Sequence, residues 1–153
     1  MANNENGYQL IFTMDLADSS SLVWGNLQLV YPDGTQIDYM ATSGCAGWQG
    51  IQDQWTRAKG PIPLGFEYRI PTTPYYVPTK GVEGMFFHIT PDPVASKQGV
   101  IRGEFGIHFD ANVPGSSGCI VLKNKSGFEA FCERMEKIAY AGVDFIPLQV
   151  KYS

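Results

Sequence analysis

The chain has 153 residues, 44% of them hydrophobic and 17% charged, and a net charge of −4. That size and mix suit a single domain spanning residues 1–153 with its own core, and exclude a disordered chain. The acidic balance excludes a nucleic-acid binder working by counterion release, and no apolar run is long enough to cross a bilayer.

The opening "MANNENGYQLIF" lacks a basic region followed by a long apolar run, so no Sec-type leader is expected. The protein is then expected either to stay in the cytoplasm or to leave by a route that needs no cleaved leader. "YQLIFTM", "LVWGNLQLVY" and "QIDYMAT" read as strands, the last two separated by the turn signal "PDG". "SGCAGWQG" is a Gly-rich break, in which Trp48 and Trp55 flank "QGIQDQ" as loop-packing residues or a ligand platform. "GFEYRI" is a short strand, and Pro71 to Gly84 is an excursion between strands. "MFFHIT" and "EFGIHFD" follow, then "CIVL".

One helix is expected after the cysteine of "CIVL". Ser126 is the expected N-cap, with Glu129 closing a capping box. Phe128, Phe131, Cys132, Met135, Ile138 and Ala139 recur at helical spacing, which makes Cys132 a packing residue. Gly142 stops the helix. "VDFIPLQVKY" is a last strand whose Pro147 marks an edge or a bulge. The fold class is therefore mainly β with one α-helix.

Three cysteines, Cys45, Cys119 and Cys132, form neither a disulfide framework nor a zinc knuckle. Two histidines and scattered cysteines give no metal-ligand spacing. "GSSGC" lacks the lysine of a P-loop.

"GIHFDANVPGSSGCIVL" holds the candidate nucleophile and base. Strand parity puts Phe105, Ile107 and Phe109 on the core side, and Gly106, His108 and Asp110 on the other. Gly106 leaves room for a ligand or loop beside His108. Pro114 and Gly115 favour a turn that returns Cys119 to the strand end. A thiol attacks as a thiolate and needs a base, which His108 could supply. Gly118 allows the amides of Ser117, Gly118 and Cys119 to converge on a developing oxyanion. His88 precedes "TPDPVAS", which offers no nucleophile. A histidine and a cysteine with purely structural roles are the competing reading.

"IHFDANVPGSSGCIVL" resembles the active-site signature of the L,D-transpeptidase catalytic domain. "KGPIPLGFEYRI" is similar to that family's upstream Thr-Pro-x-Gly-x-(Tyr/Phe)-x-Ile stretch, and "ATSGCAG" to its strand ending in Ser-Gly. The likeness runs from about Ala41 to Leu122, with the pieces in the family's order. It implies a β-sandwich or barrel-like domain and cysteine acyl transfer on peptidoglycan stem peptides, with no metal or organic cofactor. By position it implies Cys119 as nucleophile, His108 as base, and Ser117, Gly118 and Cys119 as oxyanion donors. Asp110, on the same strand face, or equally a backbone carbonyl would orient His108, and Asp110 as a plain loop acid is the preferred reading. Arg102 and Tyr68 are candidates to bind a stem-peptide carboxylate or else surface residues, and Ser116 is grouped with them as substrate-binding.

The sequence departs from the family pattern at Phe109, Ser117 and Val121, and the interval from His108 to Cys119 is short. These features resemble a compact branch that includes antibacterial effectors delivered by type VI secretion, and phage lysis enzymes. Such a branch implies an immunity protein or a secretion-system component as partner, and delivery to the periplasm or cell wall. A non-catalytic wall-binding or virion module, and a cytoplasmic cysteine amidohydrolase, are the rival functions.

Overall fold

The computed structural model describes residues 6–111 and 113–153. The start of the polar tail, and Asn112 in the turn expected after His108, lie outside the described residues.

β1 (Gln9–Met14), β2 (Gly25–Val30) and β3 (Gln36–Ser43) form an antiparallel meander. Alternation decides their faces: Leu10, Phe12 and Met14 point inward, with Leu29 and Leu27 beside the first two. The later elements are β4 (Tyr68–Pro71), β5 (Tyr75–Val77), β6 (Gly84–His88), β7 (Val94–Ala95), β8 (Ile101–Arg102), β9 (Gly106–Phe109), β10 (Ile120–Leu122), α1 (Lys125–Tyr140) and β11 (Phe145–Tyr152). Nine strands make one sheet in the order β4-β11-β1-β2-β3-β10-β9-β6-β5, and β7 and β8 form a separate pair. An Arg69–Thr90 bridge ties β4 to the chain just beyond β6, and the sheet curls into a half-barrel. The fold is mainly β with one helix.

The core fills the concave side of the curl. α1 covers it with Phe128, Phe131, Met135 and Ile138, and Phe131 meets Tyr39 and Phe87 edge-on at 5.4 and 5.2 Å between ring centroids.

The helix is stopped as expected but not started as expected. Asn124, not Ser126, is its N-cap, and no side chain caps it. The Lys123 amide still pairs with the Met40 carbonyl at 3.0 Å, so Asn124 is the first residue free to turn. At the other end Gly142 has φ +92, and Val143 bonds back to the Ile138 carbonyl.

The excursion from Pro71 to Gly84 contains β5, paired with β6 at the sheet's margin. Pro147 lies within a strand that has neighbours on both sides. Yet β11 pairs with β4 over Phe145–Leu148 and with β1 only from Leu148 onward. The missing N–H thus falls where the strand has one partner.

Candidate active site

β10 runs parallel to β9, with Ile120 beside Ile107 and Val121 beside His108. One further step of that register sets Cys119 beside Gly106. Cys119 and His108 therefore share one sheet face, two residues apart on adjacent strands, about 8 Å between Cα atoms at ordinary strand spacings. Ile107 and Ile120 face the core instead, both fully buried.

The face of His108 is not open. The residue is 5% exposed. Phe86, opposite it on β6, stacks on the imidazole with centroids 5.8 Å apart and planes at 24°. The room left by Gly106 is taken by the same ring, because a Cβ there would overlap Phe86. An aromatic cover occupies the space expected for a ligand or loop.

His108 Nδ1 lies 2.8 Å from the Phe109 carbonyl oxygen. A carbonyl only accepts, so Nδ1 carries the hydrogen and Nε2 keeps the lone pair. Burial draws the His108 pKa below the usual range, against a smaller upward pull from the Phe109 bond. The group is a neutral imidazole whose Nε2 is basic. Among the described residues Asp110 makes no hydrogen bond to it. Its Oδ2 accepts the Gly115 amide at 2.9 Å, so Asp110 closes the loop, and burial raises its carboxyl pKa.

Cys119 is a free, half-buried thiol. Its Sγ donates to the Glu104 carbonyl at 3.7 Å, on the far side of Gly106 from His108. Burial pushes the thiol up to about 11; the Gly106 amide and Arg102 pull it down, and Glu104 adds to the rise. Among the described residues no hydrogen bond joins Cys119 to His108. They are neighbours on a face rather than a bonded pair.

The loop before Cys119 is held from several sides. Ser116 Oγ donates to the Cys119 carbonyl at 2.6 Å and accepts the Gly44 and Gly118 amides at 3.1 and 3.2 Å. One donor and two acceptors exhaust that hydroxyl. Ser116 is thus a clasp and not a substrate contact. The Gly118 amide is occupied, which removes it from the expected oxyanion set. The Ser117 and Cys119 amides make no hydrogen bond among the described residues. Ser43 Oγ donates to the Gly118 carbonyl at 2.9 Å and accepts the Ile62 amide.

Arg102 and Tyr68 are neither surface residues nor free to bind a carboxylate. Arg102 is 4% exposed, and its Nη1 and Nη2 donate to the carbonyls of Gln54, Pro61, Gly60 and Ser117 at 2.6 to 2.9 Å. Those four bonds use every terminal N–H, so none remains for a substrate carboxylate. Burial lowers its pKa. Tyr68 is a core residue whose hydroxyl donates to the Pro63 carbonyl at 2.7 Å, and burial drives its pKa up.

The sequence marked Ser43 and Gly44 only as a family-like "SG". Their side-chain and backbone bonds to the loop are contacts across more than 70 residues, which spacing alone does not show. His88 and Asp92 gave no chemical signal in the sequence, yet His88 Nε2 lies 2.7 Å from Asp92 Oδ2. Cys45 donates to the Ser116 carbonyl at 3.1 Å, and burial raises its pKa. Trp48 is half-exposed under Lys59, and Trp55 packs edge-on against Phe66. Cys132 packs against the core margin as expected.

A cleft of about 380 Å³ opens beside Ser117, walled by Arg57, Asp92, Ile101 and Glu104 among others. Among the described residues no group of three or more His, Cys, Asp or Glu side chains could hold a metal ion. No protein-family model matches the chain, and no curated protein matches it.

Proposed function

We propose that the chain is a cysteine acyl-transfer enzyme acting on peptidoglycan stem peptides, an L,D-carboxypeptidase or D-amino-acid exchanger. One observation carries the reading. Cys119 and His108 lie on one sheet face, and the Phe109 carbonyl fixes the tautomer that leaves Nε2 basic. The resemblance of the surrounding motif supplies the substrate class, and its compact form favours an exported antibacterial effector or a phage lysis enzyme.

The chemistry starts from a neutral pair. A thiol held near 11 is about one part in ten thousand thiolate at neutral pH. Sγ must first leave the Glu104 carbonyl by a change of χ1 rotamer that swings it toward His108. Nε2 takes the thiol proton as the sulfur attacks the diaminopimelate carbonyl. The S–C bond forms, and the Ser117 and Cys119 amides are the donors free to meet the oxyanion. The C–N bond to terminal D-alanine then breaks, and the imidazolium returns its proton to the departing amine. Water or a D-amino-acid amine next attacks the thioester and gives its proton to Nε2; the C–S bond breaks, and the imidazolium passes that proton to the departing sulfur, restoring the neutral pair.

The test is incubation with purified muropeptides and mass spectrometry of the products. Loss of one terminal D-alanine by the native protein and none by Cys119→Ala is the expected result. Undiminished trimming by Cys119→Ala would sink the reading.

His108 also fixes the pH dependence. Its lowered pKa keeps the base neutral further into acid than an ordinary histidine of about 6.5. The acid limb of kcat/KM is therefore expected below that value. Phe86→Ala, which lets water reach the ring, moves the limb upward. An acid limb that ignores Phe86→Ala would dismiss His108 as the base.

A wall-binding module without catalysis is favoured by one observation, the raised thiol pKa of Cys119. That role is shown by binding to sacculi, unaffected by Cys119→Ala, without any released amino acid.

A further inference from the structure

The resting place of the Cys119 sulfur is set from outside the histidine–cysteine pair. Glu104, whose carbonyl receives the thiol hydrogen, has φ +60. That left-handed region is disfavoured for a residue with a side chain and persists only where neighbours impose it. The neighbour here is Asp92. Its Oδ1 accepts the Glu104 amide at 3.0 Å, and its Oδ2 lies 2.7 Å from His88 Nε2. Gly103 permits the approach, because a Cβ at that position would overlap Asp92 Oδ1. His88 itself sits opposite Gly106, in line across the sheet with Cys119.

We propose that Asp92, braced by His88, is a positioning residue for the nucleophile: it fixes the left-handed Glu104 backbone whose carbonyl parks the Cys119 thiol away from His108. A carbonyl accepts from S–H and repels a thiolate, so the parked form is the protonated one. The charged or titratable neighbours of Sγ are Arg102 and Glu104, with His108 on the same face and His88 and Asp92 across Gly106. The inference rests on the reading of Cys119 as nucleophile, and its test needs no substrate.

The test is the rate of iodoacetamide alkylation at Cys119, followed by peptide mass spectrometry from neutral to alkaline pH. Asp92→Ala frees the Glu104 backbone, and the apparent thiol pKa is expected to fall by about half a unit to one unit. Alkylation near neutrality then rises about threefold to tenfold at Cys119 alone. Asp92→Asn keeps an oxygen for the Glu104 amide and restores the native profile. Gly103→Ala crowds the same carboxylate without removing it and reproduces the Asp92→Ala profile, which keeps the point testable if Asp92→Ala does not fold. Native profiles in both alanine variants would overturn the inference. So would an equal acceleration at Cys45, Cys119 and Cys132, which marks general loosening. A shifted profile in a protein that trims no muropeptide would leave the positioning role standing and remove the proposed reaction instead.

Discussion

Arg102→Met is expected to lower the melting temperature by about 10 °C or more, with a stability loss of about 3–5 kcal/mol. The guanidinium is buried, and four backbone carbonyls converge on it from the 54–61 loop and from Ser117. Methionine fills much of the volume but donates nothing, which leaves those oxygens unpaired where water does not easily reach. Arg102→Lys retains the charge but offers three hydrogens from a single nitrogen. It cannot span a set of acceptors laid out for a planar fork, so it should recover only part of the loss. Thermal unfolding followed by circular dichroism checks both. A melting temperature unchanged in Arg102→Met would mean that these bonds contribute little.

Gly118→Ala is expected to cut turnover at least about a hundredfold while lowering stability by about 1–3 kcal/mol. Gly118 has φ +127, a conformation closed to residues with a side chain. A Cβ there would stand 2.5 Å from Phe105 Cε1 and 2.6 Å from Arg102 Nη2. Neither can give way cheaply: Phe105 is core, and Arg102 is held by its carbonyls. The peptide between Ser117 and Cys119 has to move instead, and with it the two amides proposed to meet the oxyanion. Muropeptide turnover and alkylation rate, measured together, separate the effects. Turnover should fall while Cys119 can still be alkylated. Native turnover in Gly118→Ala would dismiss the loop as the oxyanion element.

Periodicity made the meander and the helix legible in the sequence. Leu10, Phe12 and Met14 alternate, and Phe128, Phe131, Met135 and Ile138 recur at helical spacing; those patterns follow from local backbone geometry. The Gly118 loop was legible because only glycine suits such a turn. Other features were not. Arg102 looks like any surface arginine, since its partners are backbone carbonyls, three of them more than 40 positions away, and leave no mark in side-chain chemistry. His108 was correctly placed off the main apolar row, yet parity cannot show that Phe86 would lie over it. The short turn at Ile51–Asp53 and the β7–β8 pair were missed because segments of two or three residues have no period to detect.

β1 pairs in parallel with β11, so positions such as Leu10 and Leu148 stand side by side although 138 residues separate them. During synthesis the first strand of the meander must wait, with one flank unsatisfied, until β11 has emerged from the ribosome. β4 lacks its ladder partner too until β11 arrives, held in the meantime only by the Arg69–Thr90 bridge. Closing so long a loop is a slow entropic step, and the half-barrel is complete only once β11 is in place. A chain that has not yet supplied β11 holds a partly built sheet with open flanks, a species prone to stick to its neighbours.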